Sequence, residues 1–213
     1  MRSAIVLAGG RSTRMNGDKG LKELDGELLV NRVIRLIGGL VGEVVLVVGS
    51  QEQCKAYARV VDKSAELVVD VFNDGSPLVG AITGFKRVRN KFAIITACDM
   101  PFISDEAVEM LFEEAEGRNG ATFLWPNGWI EPLFAVYRVE SSLKAALSLY
   151  EAGDLRIRRV LQRLPGVRMI PIGDLKAIDP ELRSLFDADT EKALLEAKKI
   201  LKKRKRGYGW KCV

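Results

Sequence analysis

Two cations and one carboxylate set the chemistry open to this chain. Arg14 and Lys19 fall within a glycine-bearing loop, Leu7-Ala8-Gly9-Gly10-Arg11-Ser12-Thr13-Arg14-Met15-Asn16-Gly17-Asp18-Lys19. Asp99 stands just past a later apolar run, Phe92 to Ala97. Glycines at 9, 10 and 17 let the backbone approach a polyanion and aim N–H groups at it, where a side chain would clash. Arg14 and Lys19 add full positive charge. A carboxylate at the mouth of a buried strand suits Mg²⁺, which takes hard oxygen donors and is commonly held by one or two carboxylates plus substrate phosphates. Together these parts imply nucleotidyl transfer, with Asp99 holding the metal against phosphates while Arg14 and Lys19 offset the charge of departing pyrophosphate. Such chemistry is mostly positioning and electrostatic stabilisation. A phosphate acceptor is already anionic at neutral pH, which suits a chain with no histidine. The bland reading of the same loop is a glycine turn with solvated cations.

Neither of the better-known phosphate loops fits. Lys19 is followed by Gly20 and Leu21, not by the Ser or Thr of a Walker A loop, and no third glycine completes a G-x-G-x-x-G spacing after Gly9 and Gly10. The lack of histidine and of any C-x-x-C among Cys54, Cys98 and Cys212 excludes the usual zinc sites, a Cys-His pair and a Ser-His-Asp triad. Sparse, odd-numbered cysteines point to reduced thiols in a cytosol. No apolar run approaches the ~20 residues of a membrane span, and no charged-then-apolar leader opens the chain, so a cytoplasmic protein is expected.

The net charge of +5 is a property of the end of the chain. Residues 198–213 carry eight cations and no acid, which leaves the remainder net acidic. That division sets the expected organisation: one domain over residues 1–197 and a basic tail over 198–213. The tail reads as the solvated end of a last helix, or as a contact for an anion, RNA or partner, with Tyr208 and Trp210 interleaved as stacking groups. Nucleic acid is not expected elsewhere.

The elements that must position Arg14, Lys19 and Asp99 alternate. Strands are predicted at Ala4 to Ala8, Val44 to Val48, Leu67 to Val71 and Phe92 to Ala97. Helices are predicted at Leu28 to Gly39, Glu52 to Lys63, Leu78 to Val88, and after an N-cap at Ser104. This order predicts a mainly parallel sheet with helices on both faces. Ala121 to Trp125 and Pro132 to Tyr137 flank the turn Pro126-Asn127-Gly128 as a hairpin-like excursion. Helices near Ser141 to Glu151 and Ile157 to Leu164, a strand Val167 to Ile172, and a last helix from Thr190 to Lys203 complete the pattern. Ligands bind at strand carboxyl ends in such sheets, where the glycine loop, Asp70 and Asp99 would meet.

The motifs resemble those of the molybdenum cofactor guanylyltransferase (MobA) family. Leu7 to Met15 with Asp18-Lys19-Gly20-Leu21 is similar to its L-A-G-G-x-S-x-R-M-G-x-D-K signature, Ser76-Pro77-Leu78-Val79-Gly80 to G-P-L-A-G, and Cys98-Asp99-Met100-Pro101-Phe102 to C-D-x-P-[FY]. Gly26 and Leu28-Leu29 resemble the family's G-x-x-L stretch, and Glu131 to Tyr137 its H-P-L-F-A-L-Y. The resemblance implies a three-layer α/β/α sandwich with a mixed, mainly parallel sheet, the Rossmann-like nucleotidyltransferase fold. It implies transfer of GMP from GTP to the terminal phosphate of molybdopterin, or Mo-molybdopterin, with release of pyrophosphate. By the resemblance, Leu7, Ala8, Gly9 and Lys19 would contact GTP, Asp70 would lie near the nucleoside, and Asp99 would bind Mg²⁺; Gly10 and Arg14 join the nucleotide contacts on the physical reading of the loop alone. The acceptor would sit over the second half, near Arg156, Asp187 and Asp189, and a molybdoenzyme or cofactor-delivery protein would be a partner. The chain departs from the family at Asn16, where glycine is usual, at Glu131, where histidine is common, and at Asp187 and Asp189, where asparagines are usual. Those two carboxylates would join Asp99 at the metal, or at least one would cap the last helix. Rival readings are a relative using CTP, one with another phosphorylated acceptor such as cobinamide phosphate, and a module that binds nucleotide or RNA without turnover.

Overall fold

A computed structural model describes residues 1–9, 17–72 and 75–207. Gly10 and Arg14 of the expected phosphate loop therefore lie outside the described residues, as do Asn73, Asp74, Tyr208 and Trp210. Nine strands and eight α-helices are described: β1 (Arg2–Leu7), β2 (Glu23–Leu24), β3 (Glu27–Leu28), α1 (Leu29–Gly38), β4 (Glu43–Val48), α2 (Gln51–Tyr57), β5 (Ala65–Val69), α3 (Pro77–Arg87), β6 (Phe92–Ala97), α4 (Asp105–Ala115), β7 (Gly120–Leu124), β8 (Ile130–Arg138), α5 (Val139–Glu151), α6 (Arg158–Arg163), β9 (Arg168–Pro171), α7 (Ile172–Ile178) and α8 (Glu191–Gly207).

Seven strands form one sheet in the order β5-β4-β1-β6-β8-β7-β9. All run the same way except β8, which is antiparallel to both neighbours. The chain leaves β1 toward β4 on one side and reaches β6 on the other, so a topological switch point lies between β1 and β6. Strand periodicity explains the layers. Ala4 and Val6 of β1 enter a core with α1, α4 and α7, whereas Ile5 and Leu7 face α3, α5 and α6. Leu29, Val30, Val33, Ile34 and Ile37 of α1 recur at helical spacing and are all buried, each contributing about 1.5–3 kcal/mol. A satellite core joins Leu194, Ala197 and Leu201 of α8 to Leu24, Leu29 and Phe102. The helix of that satellite runs on to Gly207, through the start of the basic run.

Three local readings change. The helix predicted to Lys63 stops at Tyr57, because Asn31 of α1 donates to the Val60 carbonyl and accepts from Asp62 N, fixing a non-helical path. The expected hairpin excursion is instead integral to the sheet, with β8 inserted between β6 and β7. Ile172 does not end a strand but opens α7, and β2–β3 form a small hairpin whose Asp25-Gly26 turn has φ values of 59° and 83°. That dipeptide is a standard type I′ signal.

Candidate active site

β1 and β6 end level with each other: Leu7 pairs with Ala97, and Cys98 N donates to the Leu7 carbonyl at 3.0 Å. The chain continuing from β1 and the acid just past β6 are therefore forced into one crevice. Lys19 Nζ lies 3.1 Å from Asp99 Oδ2, bridging the switch point. The crevice is an open cavity of about 250 Å³ walled by Leu7, Ala8, Gly9, Asp18, Lys19, Pro77, Ala97, Cys98, Asp99, Leu133, Asp187 and Asp189. Asp99 is only 7 % exposed.

Lys19 is held by a network that sequence reading did not find. It opens a single 3₁₀ turn, Lys19–Leu21, whose cap is Asp18, which accepts from Gly20 N at 3.1 Å. The other Asp18 oxygen accepts from Gln53 Nε2 at 2.6 Å, and the Tyr57 hydroxyl also donates to Asp18. Gln53 Nε2 reaches the Ala8 carbonyl as well, while its Oε1 accepts from Gly49 N at 2.7 Å. Two side chains of α2 thus tie the β1 exit to the Lys19 turn. Gly20 is required by close approach: a Cβ there would lie 2.3 Å from the Tyr57 hydroxyl oxygen and 3.2 Å from Cys98 Sγ. Gly9 is similar, its Cβ falling 3.0 Å from Gly49 N. Burial, with Asp99 and Asp18 nearby, pushes the Cys98 thiol up, and burial with neighbouring Cys98 and Asp18 pushes the Tyr57 phenol up. Both stay protonated at neutral pH.

The far wall comes from the segment before α8. Ala188 N donates to the Asp99 carbonyl at 2.8 Å, Ser184 and Ser104 hydroxyls meet at 3.2 Å, and Phe186 packs edge-on against Phe102. These ties bring Asp187 and Asp189 beside Asp99. Thr190, not a carboxylate at 187, accepts from Ala193 N in the first turn of α8. Loss of hydration in this crowded mouth raises the Asp187 carboxyl to about 7, with Asp99, Asp189 and Glu131 adding like charge against the opposing Lys19. The residue's surface is still open on one side, so water screens part of that repulsion. Burial raises the carboxyl of Glu131, at the start of β8, against the hydrogen bond it accepts from the Trp125 indole.

Leu7, Ala8, Gly9, Lys19, Asp99, Asp187 and Asp189 thus converge, as the sequence suggested. Asp70 is at the carboxyl end of β5 but does not line the cavity; it accepts from Thr83 Oγ1 at 2.7 Å. Arg156 lies on the surface in an ion pair with Asp154 at 2.7 Å, outside the cavity wall. Among the described residues, no group of three or more His, Cys, Asp or Glu side chains is close enough to hold a metal unaided. The donor chemistry nevertheless fits a hard divalent cation: a nearly buried carboxylate, two more in the same wall, and like charge enough to drive one of them toward protonation.

A mixed, mostly parallel sheet with Lys19 and Asp99 facing each other at the switch point is the arrangement of an α/β nucleotidyltransferase. The chain belongs to the MobA-like NTP transferase family, whose domain matches residues 4–168. It is 32 % identical to a probable molybdenum cofactor guanylyltransferase of Methanosarcina mazei, over 89 % of this chain and 86 % of the relative. It is 34 % identical to the molybdenum cofactor guanylyltransferase of Pseudomonas putida, over 76 % of this chain and 82 % of the relative. The crystal structure of molybdopterin-guanine dinucleotide biosynthesis protein A from Archaeoglobus fulgidus superposes with a TM-score of 0.81 at 27 % identity, covering 95 % of this chain and all of that one. The 4-diphosphocytidyl-2C-methyl-D-erythritol synthase of Anaerococcus prevotii shares the fold, with a TM-score of 0.70 at 12 % identity and 95 % and 96 % of the two chains covered. Among the described residues, no helix is long and apolar enough to cross a membrane.

Proposed function

We propose that this chain transfers GMP from GTP to the terminal phosphate of molybdopterin, releasing pyrophosphate and forming the guanine dinucleotide cofactor. The Lys19–Asp99 pair across the switch point carries the reading, and the names of the relatives above supply the substrates. An acceptor phosphate oxygen attacks the α-phosphorus of GTP, the new P–O bond forms, and the α–β bridging P–O bond breaks with its electrons leaving on pyrophosphate. No proton has to be removed from the nucleophile.

The residues divide the work by position. Leu7, Ala8 and Gly9, with Gly10, offer backbone to the nucleotide, and Gly9 keeps that backbone pressed against Gly49. Lys19, fixed by Asp18, Gln53 and Tyr57, offsets the negative charge of the departing phosphates. Arg14 is proposed as a second phosphate contact. Mg²⁺ held by Asp99, with Asp187 or Asp189 beside it, would neutralise charge between the triphosphate and the acceptor. Burial of Asp99 keeps its carboxylate in one place, which favours a single approach geometry for the phosphates. The reaction draws on GTP, and we assign the protein to the cytoplasm.

The test is pyrophosphate release from each of GTP, CTP, ATP and UTP, with and without molybdopterin and with and without Mg²⁺. Release with GTP, molybdopterin and Mg²⁺ together is expected. A preference for CTP overturns the guanine assignment, and undiminished turnover in a chelator overturns the metal role.

A further inference from the structure

We propose that Trp129 is the platform on which the planar ring system of the acceptor rests, making it a specificity-determining residue for this transfer; the inference rests on the transferase reading above. Its place follows from topology. Phe134 of β8 pairs with Thr96 of β6, and β8 runs opposite to β6, so the residues preceding Phe134 project past the same sheet edge as Asp99. Trp129 is at the tip of that projection, and Leu133, nearer the sheet, is already in the cavity wall.

The ring is exposed on a backbone that is held in place. Trp129 is 45 % exposed, unusual for the largest apolar side chain, and the turn that carries it is fixed. Trp125 N donates to the Trp129 carbonyl at 2.8 Å, Gly128 N returns to the Trp125 carbonyl at 2.9 Å, and Asn127 Oδ1 accepts from Trp129 N at 3.0 Å. Gly128 sits at φ 80°, where glycine is favoured. The Trp125 indole donates to the Glu131 carboxylate at 2.5 Å, and Glu131 in turn contributes charge to Asp187 in the cavity. Arg158 covers one face of the Trp129 ring at 5.4 Å from its centroid, whereas Arg156 and Arg159 are both engaged by Asp154. An exposed indole past the same sheet edge as the reaction cavity, with Arg158 over one face, suits a heterocycle that carries a planar pyrimidinone ring and a phosphate. A pterin has that form. Pre-positioning lowers the ordering cost of binding it.

Steady-state transfer with GTP and molybdopterin tests this in wild type, Trp129→Ala and Trp129→Phe. Stacking of this kind is worth roughly five- to 150-fold in affinity. The molybdopterin KM of Trp129→Ala should rise by that factor, with kcat and the GTP KM within about two-fold of wild type and with Trp129→Phe recovering most of the loss. In the folded wild type, molybdopterin should quench the part of the tryptophan fluorescence that Trp129→Phe removes. An unchanged molybdopterin KM in an active Trp129→Ala variant, or a GTP KM that rises in step with it, overturns the platform while leaving the transferase reading intact. If wild type transfers no GMP to molybdopterin, the transferase reading fails and takes the platform with it.

Discussion

The hold on Lys19 can be broken and partly repaired through two residues that touch no substrate. In Gly20→Ala the new Cβ falls 2.3 Å from the Tyr57 hydroxyl oxygen and 3.2 Å from both Tyr57 Cζ and Cys98 Sγ. The phenol has no room to retreat, since Tyr57 is fully buried in the main core and its hydroxyl is committed to Asp18. Overpacking of this kind costs about 1–3 kcal/mol. Tyr57→Phe loses a hydrogen bond to a charged acceptor, about 1.5–3 kcal/mol, but it also deletes the atom in the closest clash. With only the 3.2 Å contacts left, adding Gly20→Ala to Tyr57→Phe should cost under about 1 kcal/mol. The double variant is therefore expected to be more stable than additivity allows by about 1–2 kcal/mol, well above the ~0.3–0.5 kcal/mol scatter of independent sites. Urea unfolding of the four proteins measures this, and melting points give a second reading at about 2–4 °C per kcal/mol for a chain of this size. Gly20→Ala alone should also raise the GTP KM, because the displaced turn carries Lys19. Strict additivity, or a Gly20→Ala protein as stable as wild type, would refute the account of how the turn is packed.

Other expectations are more direct. Asp99→Asn should cut guanylyl transfer by about 100-fold or more with the melting temperature held or raised, since it removes one of the crowded carboxylates; wild-type turnover would remove Asp99 from the chemistry. Lys19→Ala should raise the GTP KM and lower kcat together, and an effect confined to the molybdopterin KM would reassign it to the acceptor side. Asp187, with its folded pKa raised to about 7 from 3.8, binds its proton more tightly when folded. Its folding penalty is therefore absent below about pH 4 and develops as pH rises through neutrality. In metal-free buffer Asp187→Asn should raise the melting temperature at pH 8 and leave it unchanged at pH 3.5, and a gain at acid pH would contradict the sign. A chain ending at Leu201 keeps the satellite core of Leu194, Ala197 and Leu201, so it should retain GMP transfer; loss of turnover on truncation would tie the basic end to catalysis.

The hook after β1 and the acid after β6 were legible because each is local: a short apolar run delivers the residue, and parallel strands put their carboxyl ends on one edge. Strand order puts both at one mouth, and the 3.1 Å contact of Lys19 with Asp99 also needs the α2 side chains that hold the Asp18-Lys19 turn. Gln53 and Tyr57 were not legible. They sit on α2, some thirty-five residues from Asp18, and nothing in a glutamine or tyrosine on a short helix announces a distant carboxylate partner. The β2–β3 hairpin could have been read, since Asp25-Gly26 is a strong turn signal, but its strands are two residues each and show no periodicity. The far wall depended on Ala188 docking to Asp99 through backbone atoms, a contact that side-chain types do not encode.

The reversed strand has an evolutionary corollary. Because β8 alone enters the sheet from the opposite direction, it presents its beginning, not its end, to the reaction crevice. The turn between β7 and β8 can then vary in length and composition while β1, β4 and β6 keep their register. On the acceptor platform proposed above, replacing residues 125–131 as a cassette is the most economical route to a variant that receives the same nucleotide on a different cofactor.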